Sequence, residues 1–199
     1  MSNQTIPDGR SLEELQRRSE ILRRRLADPS FLQNRGLGNE VGFYTFCYNP
    51  ALELQVRQLV AQLKGESESG RLPCCIEEHN LYDTLLDICR ERRILDRIPQ
   101  QEQRRGPAAL RSQLLKTASP EAFAQAICRQ PHQPGSVMFL TGVGEVYPFL
   151  RVHVLLDNLQ PLTAELPVVL FYPGKYTGQS LSLFNRLEDG NYYRAFDLI

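Results

Sequence analysis

The segment that most constrains the fold of this chain is VMFLTGVGEVYPFLRVHVLLDN, residues 137–158. Its first four residues are all apolar, which is typical of a strand covered on both faces, as in a parallel sheet. Gly142 and Gly144 then permit the backbone angles of a tight turn from strand to helix, and Pro148 suits the first turn of the helix that follows. Ligands of open α/β sheets bind at the carboxyl ends of strands, so this turn is a candidate ligand site.

The remaining segments predict an α/β fold. Four further strands are predicted, at residues 41–48, 72–77, 167–172 and 192–198, the last as an edge strand. Helical patterns lie between them. Pro173-Gly174 is expected to end the strand before it, and residues 181–187 fit a short helix or an extended segment. This order predicts a mostly parallel central sheet flanked by helices, with a Rossmann-like or P-loop-like topology that lacks a functional P-loop.

The length of 199 residues suits a single domain. We expect residues 36–199 to form its sheet-containing core and residues 1–35 to form an N-terminal helical extension. Apolar residues recur at near-helical spacing from Leu12 to Leu26, and Ser11 with Glu14 fits a capping box at the start of that helix.

The composition excludes several classes of protein. No apolar run approaches the roughly 18–20 residues needed to span a membrane, and the polar N-terminus lacks the apolar core of a secretory signal. The five cysteines form no CxxC pair, and nothing around His79 or the other two histidines has the spacing of a metal site. We therefore expect a cytoplasmic protein with reduced thiols, no bound metal and no membrane contact.

Arginine strongly outnumbers lysine, 20 to 3, although the formal net charge is zero. Seven arginines lie in residues 10–35 and seven more in residues 90–111. The second group is accompanied only by Glu91, Asp96 and Glu102, which leaves a local excess of four positive charges. Such a group binds phosphates or an acidic protein, or forms a solvated helix face, and the pattern alone leaves these alternatives open.

Two segments partly match phosphate-binding motifs. Gly142 and Gly144 fit the first two glycines of Gly-x-Gly-x-x-Gly, but Tyr147 stands at the third. In the second segment, Lys175 follows Gly174 as in a P-loop, but Tyr176 replaces the hydroxyl residue that would hold magnesium. Gly142, Gly144 and Lys175 remain candidates for an anion site, and we expect no bound cofactor.

The sequence contains no complete catalytic motif, so we name no catalytic residues and expect a protein that is not an enzyme. The last third of the chain is rich in aromatic residues, and aromatic and arginine side chains are the preferred anchors of protein interfaces. They are also ordinary core residues. The interface candidates are Tyr172, Tyr176, Phe184, Arg186, Tyr192 and Tyr193.

Several long blocks of sequence resemble one known family. They are GLGNEVGFYTFCYNP, EEHNLYDTLLDI, FLTGVGEVYPFLRVHVLLDNLQ and PVVLFYPGKYTGQSLSLFNRLEDGNYYRAF. The chain is similar over nearly its whole length to BrxB, the small protein of bacterial BREX phage-defence operons, and the similarity is most specific in the last 65 residues.

The resemblance implies a role in defence against bacteriophage, and it carries no assigned enzymatic activity. It implies an interaction or assembly subunit, with the alkaline-phosphatase-like protein PglZ as the expected partner. The DNA methyltransferase and the large ATPase of the same operons are further possible partners, and DNA is expected to be reached only through the complex. Two alternatives stay open: a nucleotide- or phosphate-binding regulator, and a weak DNA-binding accessory protein acting through residues 90–111.

Overall fold

The computed structural model describes residues 11–34, 42–163, 166–176, 180–189 and 196–197. Within these ranges the α-helices are α1 (Leu12–Leu26), α2 (Pro29–Leu32), α3 (Glu53–Glu68), α4 (Leu81–Glu91), α5 (Ile98–Arg105), α6 (Pro107–Thr117), α7 (Pro120–Ile127), α8 (Val143–Val146) and α9 (Val152–Leu159). The strands are β1 (Phe43–Tyr48), β2 (Cys75–Asn80), β3 (Ser136–Thr141), β4 (Val168–Tyr176), β5 (Leu181–Leu183), β6 (Leu187–Asp189) and β7 (Phe196–Asp197).

The strands form a mixed sheet in the order β2-β3-β4-β1-β7. β1 runs parallel to β4 and to β7. β5 lies antiparallel to the end of β4, and β6 lies antiparallel to β5. The predicted α/β fold, with a central sheet flanked by helices and an N-terminal helix, is confirmed.

The chain divides into two compact units. The first comprises residues 1–77, 133–139 and 165–199, and the second comprises residues 78–132 and 140–164. The boundaries fall inside β2 and inside β3. The prediction of a single domain is not tested by this division and stays a prediction.

The core of the first unit is built on the inner strands. β4 is buried from Val168 to Gly174. The centre of its Phe171 ring lies 5.2 Å from the centre of the Phe46 ring and 5.0 Å from that of the Phe139 ring. Such a continuous apolar run is expected for a strand covered on both faces. Helix α1 adds Leu15, Leu22 and Leu26 to the same cluster, so the helical extension contributes to the core rather than trailing from it.

Helix α1 is also held by a buried arginine. Arg18 is only 7% exposed, its Nη1 donates to the Cys47 carbonyl at 2.6 Å, and its guanidinium lies 5.2 Å from the Phe46 ring centre. At the start of the helix, Ser11 Oγ accepts from the Glu14 N–H at 3.1 Å, as the capping pattern predicts. The Glu14 carboxylate, however, binds Arg17.

The second unit is mainly helical. Helix α4 packs against α7 and α8, and α7 packs against α9. The helix starts follow the sequence signals, because Ser119 caps α7 by accepting from the Ala122 N–H at 3.3 Å, with Pro120 in the first turn. Each helix except α5 contributes at least two buried residues.

Two local predictions are wrong. Pro148 does not open the helix of the featured segment: it follows a cis peptide bond in the turn between α8 and α9, and α9 begins at Val152. Pro173-Gly174 does not end its strand either. β4 continues to Tyr176 because its last residues pair with β5, at Gly174 with Leu183 and at Tyr176 with Leu181. Residues 181–187, left open between a helix and an extended segment, form β5, a turn at residues 184–186 and the first residue of β6.

No helix among the described residues combines the length and the apolar character required to cross a lipid bilayer.

Candidate protein-interaction site at the C-terminal hairpin

The glycine turn after β3 is filled by a side chain of the protein itself. Gly142 has φ +72°, and a Cβ atom there would collide with the Asn80 side chain. Asn80 ends β2 and caps α4, since its Oδ1 accepts from the backbone N–H of Tyr82 at 2.9 Å and of Asp83 at 3.2 Å. The glycine is therefore needed for its backbone angle and for the space that Asn80 takes.

The surroundings of the same turn disfavour an anion. Thr141 Oγ1 donates to Glu78 Oε1 at 2.8 Å, which places a carboxylate beside the end of β3. Helix α8, which Gly142 caps, has only four residues and offers a short helix terminus. Gly144 lies inside this helix rather than in the turn. These contacts weigh against a phosphate cradle at Gly142 and Gly144.

Lys175 lies in a strand rather than in a loop. It belongs to β4 and stands opposite Ser182 of β5, whereas a P-loop wraps its phosphate between a strand and a helix. The neighbouring Gly174 has its own structural reason: a Cβ atom there would strike the Ser182 carbonyl and would lie 2.9 Å from the Tyr172 ring. The Gly-Lys pair thus belongs to a close strand-to-strand contact.

The polar and thiol groups do not assemble into a metal centre. Among the described residues, no group of three or more His, Cys, Asp and Glu side chains is placed to hold a metal ion. The five cysteines are free, and three of them are buried. Burial raises the pKa of the Cys74 thiol to about 11, which keeps that sulfur protonated and unreactive at neutral pH.

A three-stranded hairpin extends from the end of β4 through β5 and β6. Leu183 of β5 pairs with Leu187 of β6, and the turn between them closes through the Arg186 N–H, which donates to the Leu183 carbonyl at 3.1 Å. Phe184 and Asn185 have φ +56° and +59°. Two successive positive φ angles match the type I′ turn that suits the twist of a β-hairpin.

Phe184 is an unusual residue for this backbone position. Asparagine tolerates positive φ, whereas a bulky residue there is strained by about 1–3 kcal/mol. Its N–H donates to the Pro173 carbonyl at 2.8 Å, which pins the turn to β4. Strain of this kind concentrates at functional positions, so the conformation marks the turn as a candidate site.

The hairpin presents an exposed surface beside this turn. Asn185 and Arg186 are exposed, Phe184 is half-buried, and Leu187 is 41% exposed despite its size. Among the described residues, β6 pairs only with β5 and leaves its other edge open. An apolar and an arginine side chain beside an open strand edge are features of protein-binding surfaces.

The predicted interface residues differ in their burial and in their place in the fold. Phe184 and Arg186 meet at the hairpin turn, and Tyr176 is half-buried at the end of β4. Tyr172 is only 2% exposed and is a core residue, so its prediction as a surface contact is wrong. Tyr192 and Tyr193 lie outside the described residues. The interface role of the others stays a prediction.

Leu187 was missed from the sequence. The exposure of its side chain becomes visible only in the fold. Asn185 carried a usable signal, because asparagine is favoured where a hairpin turn requires positive φ. The neighbouring Phe184 argued against such a turn, because bulky residues rarely adopt positive φ.

Comparison with known proteins gives a consistent result. The family described as "BREX protein BrxB" matches residues 77–198. A "BREX protein BrxB" of Bacillus cereus (strain H3081.97) is 40% identical, over 92% of this chain and 96% of its own length. A protein with the same description from Escherichia coli O9:H4 (strain HS) is 33% identical, over 93% of this chain and 92% of its own. No solved structure matches the chain significantly.

Proposed function

Because the chain belongs to the BrxB family and is a component of a BREX bacteriophage-defence system, we propose that it is a non-catalytic interaction subunit that binds PglZ. In this role it helps to assemble the defence complex in the cytoplasm, and it contributes a docking surface rather than a reaction centre. The methyltransferase and the large ATPase of the system come into contact with it through that assembly.

The observation that carries this proposal is the hairpin turn at Phe184. A strained, half-buried aromatic residue stands next to an exposed arginine and an exposed leucine, beside a strand whose outer edge pairs with none of the described residues. A partner strand laid on β6 would gain backbone hydrogen bonds along the edge. The side chains of Arg186 and Leu187 would anchor it, as arginine and apolar residues do at the centre of interfaces.

The alternative of a nucleotide-binding regulator is less well supported. It requires an open cradle at Gly142 and Gly144, and the Asn80 side chain takes that space. Titration of the purified chain with ATP, GTP and dinucleotides in a calorimeter decides between the two. Heat that saturates at millimolar ligand would revive the regulator; we expect none.

The first prediction concerns binding of PglZ to hairpin variants. We expect the wild-type chain to co-purify with PglZ and the double variant Arg186→Ala, Leu187→Ala to bind it at least about tenfold more weakly, since hot-spot truncations cost more than about 1 kcal/mol each. Isothermal titration with purified PglZ gives the affinities.

The matched control is Leu54→Ala with Arg57→Ala on α3. Leu54 is 69% exposed, and the Arg57 side chain is 49% exposed, so the same residue types are removed from another surface. We expect less than a twofold change in affinity. Clean separation of the wild-type chain from PglZ at micromolar concentration would refute the proposal, and equal losses in both variants would refute the hairpin as the site.

A further inference from the structure

The second unit carries an arginine surface, defined by the seven arginines of residues 90–111. It follows the end of α4, the short 3-10 turn before α5, and the helices α5 and α6, which are consecutive and in contact. All of its members are exposed: Arg90, Arg92, Arg93, Arg97, Arg104, Arg105 and Arg111. The whole chain is formally neutral, so this concentration of charge is local.

Most of these charges are not neutralised by the residues that the structure describes. Arg90 forms an ion pair with Asp87. Glu91 forms one with Arg129, with 2.5 Å between Glu91 Oε1 and Arg129 Nη1. The other six guanidinium groups form no ion pair or side-chain hydrogen bond with any described residue. Within residues 90–111 the remaining acidic residues are Asp96 and Glu102, both exposed, so these groups carry a net charge of six minus two, or +4.

Helix α5 is unusual because it has no fully buried side chain. Its eight residues, IPQQEQRR, include no buried side chain, although most helices in proteins are stabilised by the face they bury. Arg97 precedes its first residue, and Arg104 and Arg105 lie in its last turn. With a rise of about 1.5 Å per residue, Arg97 and Arg104 stand roughly 10 Å apart along the axis, which is about three base-pair steps of duplex DNA.

The residues of the arginine surface favour duplex DNA over a protein, a single-stranded nucleic acid or duplex RNA as its partner. Protein interfaces need apolar and aromatic anchors, and residues 90–111 include no large apolar side chain that is exposed. Single-stranded nucleic acids are held by stacking on aromatic rings, and this segment contains no Phe, Tyr or Trp. The deep, narrow major groove of duplex RNA does not admit a helix, whereas that of B-form DNA does.

We propose that the arginine surface binds the phosphate backbone of duplex DNA without regard to base sequence. Arginine suits this task because its planar fork donates two hydrogen bonds to one phosphate. α5 lies at the groove, and the arginines at its two ends meet phosphates. This activity is separate from the binding of PglZ and does not depend on it.

Salt-dependent DNA binding tests the proposal. The full chain is titrated against a fluorescent duplex of about 24 base pairs, and anisotropy is followed from about 25 to 200 mM salt. The site variant is Arg97→Gln, Arg104→Gln, Arg105→Gln, which removes three positive charges and keeps a similar helix propensity. Each lost phosphate contact lowers the slope of log K against log salt by about one, so we expect a slope reduced by about three and an affinity at low salt reduced at least about tenfold.

A charge-matched control separates the surface from general electrostatics. The variant Arg17→Gln, Arg24→Gln, Arg57→Gln also removes three exposed arginines, from α1 and α3 of the first unit. We expect its affinity to stay within about twofold of wild type and its slope to change by less than about one, and circular dichroism verifies that both variants are folded. Absence of binding at low salt, a flat salt response, equal losses in both variants, or tighter binding to single-stranded DNA or duplex RNA would each overturn the proposal.

Discussion

The clearest lesson at the scale of single residues comes from Gly142 and Asn80. The sequence correctly predicts a tight turn after a buried strand, with glycine in a backbone conformation that other residues resist. It does not predict what the turn encloses, because Asn80 lies 62 positions earlier and its role as a helix cap becomes visible only in the fold. The motif that suggests phosphate binding contains a packing contact between Gly142 and Asn80, which weighs against a phosphate there.

A double-mutant cycle between Gly142 and Asn80 tests this contact. We expect Gly142→Ala to destabilise the protein by about 2–4 kcal/mol, from the positive φ and from the collision with the Asn80 side chain. Asn80→Ala removes the cap of α4 and costs about 1 kcal/mol. Because the collision disappears in the double variant, its loss is at least about 1 kcal/mol smaller than the sum of the two single losses.

Denaturant unfolding supplies the free energies for this cycle. Strict additivity would show that Asn80 does not occupy the turn, and would reopen the question of a ligand there.

At the scale of elements, an ion pair ties α1 to α3. Arg23 Nε donates to Glu66 Oε2 at 3.1 Å, across 43 residues of sequence, and the two side chains are only 20% and 13% exposed. Gln62 Nε2 donates to the same carboxylate at 2.9 Å. The hydrogen bond from Arg23 lowers the pKa of Glu66 below its ordinary value of 4.5. The pair adds to the apolar packing that joins α1 to the core.

This pair predicts a stability difference that depends on pH. A carboxyl group with a lowered folded pKa stabilises the protein above its unfolded pKa, near 4.5, and loses that contribution as the pH falls through the folded value. We expect Glu66→Gln to cost about 1 kcal/mol at pH 7, with the difference from wild type shrinking steadily below pH 4.5.

Urea unfolding of wild type and variant between pH 3 and pH 7 measures this difference. The control is Glu68→Gln on the same helix, since Glu68 is exposed and forms no ion pair with any described residue. A cost for Glu66→Gln that stays constant over the pH range would contradict the assigned role of the charge.

The pairing of β5 with the end of β4 explains why the predicted end of that strand is wrong. Pro173-Gly174 normally stops a strand, but here Gly174 allows β5 to approach β4 closely, and the strand continues as a hairpin. The antiparallel hairpin is what makes the sheet mixed. Sequence periodicity carries no information about this pairing, because residues 181–183 are too few to show a period.

At the scale of the whole molecule, the inner strands and the helix order are predictable, because buried apolar runs and capping residues report on local structure. β3 is buried at every position, as its composition predicts. The use of each surface is less predictable. Tyr172 and Phe184 have similar character in the sequence, yet one is core and the other stands in the hairpin turn, because burial depends on neighbours far away along the chain.

The molecule thus offers two surfaces of different chemistry. The first unit presents an apolar and arginine hairpin suited to a protein strand, and the second presents exposed arginines, most without an ion pair to any described residue, suited to phosphates. Two such surfaces are what the proposed role of an interaction subunit requires.

Hydrogen exchange of the chain with and without PglZ tests the central claim most directly. If the hairpin is the docking site, amides of residues 181–189 exchange more slowly in the complex, by at least about tenfold, because the edge of β6 and the turn at Phe184 become covered. Amides of residues 97–111 on the arginine surface should be unchanged. Slower exchange elsewhere with no change in residues 181–189, or no change anywhere at saturating PglZ, would contradict the account.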